Sequence, residues 1–342
     1  MAALAEPTST RPPTPAAASM LARFGTPELL SRLGTRRTAG GWSLSDLTRS
    51  GRRLPESSVG LYAGDAESYD VFIGLLDPVL SELAGPARAV SPGLGHGAAI
   101  VPFASPAVRS VRVRVARNVA TYRFPPAMDR AERLGLEELV RRALCELGGD
   151  LEGRYDRLED LTPERSAWLA QRHLLFDADD RFMREAGILD DWPTARGVFA
   201  NATGDFAVWV NEEDHLRLMS VEPGGDLPAV ADRLRRGLFD LEKRLPFARH
   251  ARHGFLSACP SNAGFGMRAS VHVARGDRDE PTVRALAARF GLSVRGAGGE
   301  NSSTGESLVD LSLKHRVSLG FDAHLLALQH AVNAWISAPT AG

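Results

Sequence analysis

A chain of 342 residues is long enough to bury one large core or two ordinary ones, and its net charge of −1, with 44% apolar and 24% charged residues, shows no excess of either sign. That balance argues against nucleic acid or a membrane surface as the main partner. Two cysteines, Cys145 and Cys259, are too few for a disulfide framework and suggest a reducing, cytoplasmic setting, and no apolar run approaches the roughly 18 residues of a membrane-spanning helix.

Residues 1–19 are rich in Ala, Pro and Thr and read as a disordered tail rather than a leader. Thr26-Pro27 followed by ELLSRL and Gly34 has the cap, first-turn proline and glycine stop of a short helix, and Ser43 with Asp46 opens another. The stretch 65–83 carries apolar residues at helical spacing with a break expected near Pro78. No strand signal precedes it, so 20–84 is expected to be a small all-helical domain. The Gly, Pro and Ala rich segment 85–106 reads as a linker, and 107–342 as a larger domain.

Beyond the linker, VRVRV (111–115), FAVWV (206–210), HLRLMSV (215–221), GFLSA (254–258), RASVHVA (268–274) and SLVDLS (307–312) have strand character. Helices are expected at about 129–147, 163–175, 228–245, 281–290 and 322–336. Several strands have no helix between them. This favours an antiparallel sheet and an α+β fold over a doubly wound one. No internal repeat, Walker-type loop or G-x-G-x-x-G loop is present.

Lysine occurs only at Lys243 and Lys314, so a single arginine carries little information in this chain. Recurrence carries more. Arg112 and Arg114 share a face of VRVRV because side chains two apart on a strand point the same way. Arg217 follows the acidic triplet Glu212, Glu213 and Asp214, Arg268 opens RASVHV, and Arg295 closes LSVR. Solvated strand faces are one reading of such arginines. Arginines at five strand ends are better matched to a polyanion, and a triphosphate is one candidate, since the guanidinium fork fits phosphate oxygens. The triplet then faces either a cationic acceptor or a magnesium ion. Cys259 alone reads as a buried small hydrophobe, although Ser261 is placed to hydrogen-bond it and favour a thiolate. His215 reads as structural, and Trp192 and Trp209 as core.

CPSNAGFGMRASVHV (259–273), WVNEEDHLR (209–217), DWPTARGVF (191–199), HLLF (173–176), SSVGLYAGDAESY (57–69) and EKRLPFARHARHGFL (242–256) together resemble the phosphagen (guanidino) kinases, and within them the arginine kinases, from about residue 20 to about residue 335 and in the family's order throughout. The resemblance implies a helical N-terminal domain, a larger domain on an antiparallel sheet, and transfer of the γ-phosphoryl group of MgATP to free L-arginine, with ATP and Mg2+ as the cofactors and a monomer as the working form. It implies that Arg112, Arg114, Arg217, Arg268 and Arg295 bind phosphate. Ser110, Ala269, Ser270, Val271, Gly296, Ala297, Gly298 and Gly299 fall within the nucleotide-binding segments, and His173 and His272 lie near base and ribose. Glu213 holds the guanidinium, Cys259 is the reactive cysteine beside it, and Glu300 is a second carboxylate on a mobile loop. Ser58, Val59, Gly60 and Tyr62 belong to the loop that meets the amino-acid end of the substrate. No direct protein ligand to magnesium is implied.

Some positions depart from the family pattern. Phe265 and Gly266 replace a small residue and Thr, Ser58 stands where Gly is usual, Ala200 and Ala202 interrupt a more polar stretch, and 85–106 is an unusual connector. Every charged catalytic position is retained. Three alternatives follow: a kinase for another guanidino compound, a protein-arginine kinase suggested by the run VRVARN (113–118), and a catalytically silent sensor.

Overall fold

The computed structural model describes residues 18–85, 99–176, 178–296, 307–315, 317 and 320–339. Five helices come first: α1 (Met20–Phe24), α2 (Pro27–Leu33), α3 (Leu44–Arg53), α4 (Ser68–Val71) and α5 (Ile73–Ala84). The Thr26 hydroxyl caps α2 by accepting from the Leu29 amide, and Ser43 and Asp46 form a reciprocal capping box on α3. The expected break near Pro78 falls instead at Phe72, between α4 and α5, where φ is −108° and ψ is 25°. Pro78 lies inside α5.

Strands β1 (Val108–Arg117), β2 (Gly153–Arg157), β3 (Gly197–Asn201), β4 (Phe206–Val210), β5 (Leu216–Pro223), β8 (Met267–Ala274), β9 (Leu292–Gly296) and β10 (Leu308–Leu313) form one sheet in the order β2-β3-β4-β5-β1-β8-β10-β9. Every pairing is antiparallel, as the absence of intervening helices suggested. A separate hairpin joins β6 (Arg249–His250) and β7 (Gly254–Phe255), so GFLSA is a strand only in its first two residues. Strands β2 and β3 were not expected. The first is a polar edge segment, and the second is buried throughout and shows no alternation.

Helices α6 (Arg130–Cys145), α9 (Leu227–Glu242), α10 (Glu280–Arg289) and α11 (Phe321–Ser337) cover one face of this sheet, while α7 (Pro163–Gln171) and α8 (Arg181–Glu185) lie in the connection from β2 to β3. Helix α7 ends four residues before the expected 175, and His173 then adopts φ +54°. Val111, Val113 and Val115 of β1 and Val271 and Val273 of β8 point to the covered face and are fully buried with Leu136, Leu234 and Leu325 of the helices. Burial of each such side chain contributes about 1.5–3 kcal/mol, which fixes the strand register and sends the alternate residues to the opposite face.

The N-terminal helices share a second apolar cluster with the larger unit. Leu47, Leu61, Tyr69, Phe72 and Leu76 pack with Phe124, Ile188, Leu256, Ala258 and Cys259. Polar links run beside it: Arg49 donates to the carbonyls of Glu185 at 2.9 Å and Ala186 at 2.7 Å, and Arg181 pairs with Glu56 at 2.7 Å. No helix of the described residues is long and apolar enough to cross a membrane.

Candidate active site

Antiparallel register brings the arginines together. On the uncovered face, Arg114 lies opposite Arg268, Arg112 opposite Ser270, and Ser110 opposite His272. On the other flank of β1, Ala116 lies opposite Arg217. Arg295 of β9 pairs with Asp310, which in turn pairs with His272. Directly opposed residues share a face, so all five arginines and His272 belong to one surface. Arg112 and Arg114 lie inside β1 rather than at its end. The side chains of Ala269 and Val271 point to the opposite, covered face and are fully buried there. Ser110 Oγ and His272 Nδ1 are 3.0 Å apart. Burial holds the His272 imidazole below its ordinary range, a shift that Asp310 opposes and that Arg112, His173 and Arg268 reinforce. Exposed His173 therefore lies within electrostatic reach of His272. Burial, then Arg217, lowers the Arg112 guanidinium to about 10. Gly296 ends β9, and Ala297, Gly298, Gly299 and Glu300 lie outside the described residues.

The acidic triplet sits in the turn from β4 to β5. Asn211, at φ +57°, anchors this turn by donating to the carbonyls of Arg133 at 3.1 Å and Ala195 at 2.8 Å. Each acid has its own partners. Arg217 Nη2 lies 2.9 Å from Glu212 Oε2 and 3.2 Å from Glu213 Oε2. The Glu212 contact is an ion pair without hydrogen-bond alignment. Trp209, opposite Arg217 across the strands, places its ring under that guanidinium at 5.2 Å. Asp214 accepts from Asn118 Nδ2 at 2.6 Å, the Ala258 amide at 2.7 Å and Asn262 Nδ2 at 3.2 Å. His215 is structural: Nδ1 accepts from the Val119 amide at 2.9 Å and Nε2 donates to the Arg123 carbonyl at 2.8 Å, and burial pushes its pKa down to about 3.

Glu213 also accepts from Asn262 Nδ2 at 2.8 Å. Burial first, and then the neighbouring Glu212 charge, raises its pKa above the usual carboxylate range, while Arg217 pulls the other way. The Cys259 Sγ lies 3.2 Å from Ser261 Oγ, so the expected hydrogen bond is present. Burial, and next the Glu213 charge, push the thiol up, while the Ser261 hydrogen bond pulls it down.

The segment Ser57–Tyr62 approaches the same carboxylate. The carbonyls of Ser58 and Val59 accept from the amides of Met20 and Leu21, each at 3.0 Å. Gly60, at φ +76°, lies directly against the backbone of Gly51, where a Cβ on Gly51 would come within 2.4 Å of the Gly60 carbonyl oxygen. The Trp42 indole donates to the Tyr62 carbonyl at 3.2 Å, and Ala63 donates to the Ala258 carbonyl at 2.7 Å. The Tyr62 phenol is buried, and burial followed by the charges of Glu213 and Cys259 raises its pKa. The loop, the carboxylate and the cysteine thus converge.

A small pocket lined by Arg114, Arg217, Arg268 and Asn262, with Ala116, Gly266 and Met267, lies where the arginine face meets the acidic turn. Asn262, Asn118 and Asp310 were not singled out from the sequence. Asn262 stands inside the CPSN motif and Asn118 ends the run VRVARN just past β1, whereas Asp310 reads as an ordinary strand residue.

The departures Phe265 and Gly266 have local explanations. Arg117, the last residue of β1, is buried with its guanidinium 3.5 Å from the Phe255 ring centroid, 5.0 Å from Phe265 and 6.0 Å from Phe247. Its Nη1 donates to the carbonyls of Ala116 at 2.7 Å and Phe265 at 2.6 Å. Gly266, at φ +70°, leaves room for this: a Cβ there would lie 2.8 Å from the Ala116 carbonyl oxygen and 3.0 Å from Arg117 Nη1.

Two family models match the chain. The model for the ATP:guanido phosphotransferase C-terminal catalytic domain matches residues 135–336, and that for the N-terminal domain matches residues 15–81. The chain belongs to the ATP:guanido phosphotransferase family. An arginine kinase of Liolophura japonica is 39% identical over 308 residues, covering 88% of each chain. One of Schistocerca americana is 36% identical over 311 residues, covering 88% of this chain and 87% of that protein. Among solved structures, a lombricine kinase superposes with TM-score 0.83 at 31% identity, covering 93% of this chain and 91% of that one. The duplicated taurocyamine kinase from Schistosoma mansoni with bound transition-state-analogue components gives 0.81 at 32% identity, covering 93% of this chain and 45% of its own. This phosphagen kinase family uses MgATP. Among the described residues no group of three or more His, Cys, Asp or Glu is placed to hold a metal ion, and all three acids of the triplet are engaged by protein groups.

Proposed function

We propose that this phosphagen kinase reversibly transfers the γ-phosphoryl group of MgATP to the guanidino group of free L-arginine, giving ADP and phosphoarginine. The observation that carries the reading is the pocket in which Arg114, Arg217 and Arg268 meet Asn262, the residue that donates to Glu213. Phosphate oxygens on the arginines and a guanidinium on Glu213 would then be neighbours in one space. Positioning of this kind supplies most of the catalysis for a loose transition state.

In this reading Arg112, Arg114, Arg217, Arg268 and Arg295 neutralise the polyphosphate, with Ser110, His272 and His173 toward the nucleoside. Glu213 orients one guanidino nitrogen toward the γ-phosphorus. As the new N–P bond forms and the bond to the β-phosphate oxygen breaks, Glu213 accepts the proton leaving that nitrogen. Its raised pKa suits a proton acceptor near neutral pH, and a bound guanidinium favours its ionised form. Glu300 is assigned the opposing grip, Cys259 the flank, and Ser58, Val59, Gly60 and Tyr62 the amino-acid end. The division into a helical domain (20–84), a linker (85–106) and a catalytic domain (107–342) belongs to the same reading. It is supported by the separate family-model matches on either side of the linker.

Arginine as acceptor is supported by the relatives that are named arginine kinases, while structural relatives are named for lombricine and taurocyamine. ADP release with arginine, creatine, glycocyamine, taurocyamine, lombricine or an arginine-rich protein as acceptor decides the matter. Turnover with arginine alone, or far above the others, supports the reading. A response confined to protein acceptors or to another guanidino compound replaces it.

A further inference from the structure

Apart from the arginines, the uncovered face of β1, β5, β8, β9 and β10 bears one acid among the described residues, Asp310. It is 9% exposed. Its Oδ2 accepts from Arg268 Nη2 at 2.9 Å, and its Oδ1 is buried with no hydrogen-bond partner among the described residues. A buried carboxylate needs nearby positive charge, and here neighbouring strands supply it. His272 is directly opposite on β8 and Arg295 directly opposite on β9. Its field also reaches Arg112, where it counters the effects of burial and of Arg217. Asp310 therefore sits within a group of cations that repel one another when no ligand is bound.

We propose that Asp310 is an internal counter-anion that stands in for phosphate on the empty face, holding Arg268, offsetting the surrounding cations, and thereby limiting how tightly the face binds its polyanion. The inference rests on the reading of this face as the polyphosphate site. In a reversible transfer such a group keeps ADP from being retained. Replacing it by asparagine preserves volume and an acceptor for Arg268 but removes the charge, so polyanions should bind more tightly while the empty protein becomes less stable.

The test is calorimetric titration of inorganic pyrophosphate and of MgADP into the wild type, Asp310→Asn and Asp310→Glu, at low and high salt, with thermal midpoints of the empty and saturated proteins. The asparagine variant is expected to bind pyrophosphate about tenfold more tightly or better at low salt. It should also show a steeper loss with salt and a lower midpoint when empty, a deficit that saturating pyrophosphate removes. The glutamate variant should stay near the wild type. Unchanged or weaker binding by the asparagine variant overturns the inference, because Asp310 would then only shape the site. Should that variant not fold alone, refolding with saturating pyrophosphate decides: recovery supports the counter-anion role, and failure overturns it. If the wild type binds neither ligand, the reading of the face falls and the inference with it. A binding wild type with an unresponsive variant rejects the inference alone.

Discussion

Substituting Glu213→Gln should stabilise the empty protein while removing its activity. Arg217 Nη2 at 3.2 Å attracts the Glu213 carboxylate by about 5 kcal/mol at an effective dielectric of about 20. The same Nη2 is 2.9 Å from Glu212, which places the two carboxylate oxygens within about 6 Å and gives about 3 kcal/mol of repulsion. Asn262 bridges Glu213 at 2.8 Å and Asp214 at 3.2 Å, so a second repulsion of about 3 kcal/mol arises in the same way. The pairwise contributions nearly cancel. What remains is the cost of burying the charge, several kcal/mol before relaxation. Glutamine keeps an acceptor for Asn262 without that cost, so a gain of about 1–3 kcal/mol is expected, a rise in melting midpoint on the order of 5 °C. The sign with pH follows from the raised pKa of Glu213. The folded protein holds this proton where the unfolded chain has released it. Wild-type stability should therefore fall as pH rises above about 4.5, the ordinary value for glutamate, towards the raised value. Glu213→Gln should flatten that slope. Turnover with the guanidino substrate should fall at least about a hundredfold, the usual contribution of a proton acceptor. Thermal denaturation from pH 5 to 9 beside the coupled assay measures both. A variant that melts lower than the wild type at neutral pH, or keeps the wild-type slope, refutes the reasoning.

Other perturbations separate the parts of the site. At pH 9, above the raised Glu213 value of about 8, Glu213→Gln and Ser261→Ala should move Cys259 alkylation in opposite directions, faster and slower respectively, because the Glu213 charge raises the thiol pKa and the Ser261 hydrogen bond lowers it; timed iodoacetamide labelling with mass spectrometry reads both. Trp42→Phe leaves the Tyr62 carbonyl without its indole donor, a loss of about 1–3 kcal/mol, and should raise KM for the guanidino substrate several-fold with a smaller change in kcat. Gly264→Ala puts a methyl group 1.7 Å from the Val317 carbonyl oxygen at φ +82°, and should lower stability by more than about 3 kcal/mol in urea denaturation.

The fold was legible wherever one face of an element is buried and the other is not. VRVRV alternates because its valines enter the core and its arginines do not, and this single fact placed Arg112 and Arg114 correctly on one face. Strand β3 could not be seen for the converse reason, being buried on both sides. Within the site, residues with distinctive chemistry stood out, whereas those whose importance lies in pairing did not. Asp310 in SLVDLS looks like the polar member of a half-buried strand, and only the register beside β8 and β9 sets it among cations. Asn118 gains its meaning from Asp214, which is 96 residues away in sequence. At Cys259 the serine two residues on is visible in the sequence, whereas the degree of enclosure and the charge of Glu213 are not.

The environment of Arg117 bears on how the protein responds to ionic strength. Its guanidinium rests against aromatic rings and carbonyl oxygens, with no carboxylate at ion-pair distance among the described residues. Dissolved ions screen exchange between open arginines and a dissolved anion, but they have little access to a cation enclosed by phenyl groups. Concentrated salt should therefore displace nucleotide while the wall behind the pocket keeps its shape, and dilution should restore full turnover without any refolding step.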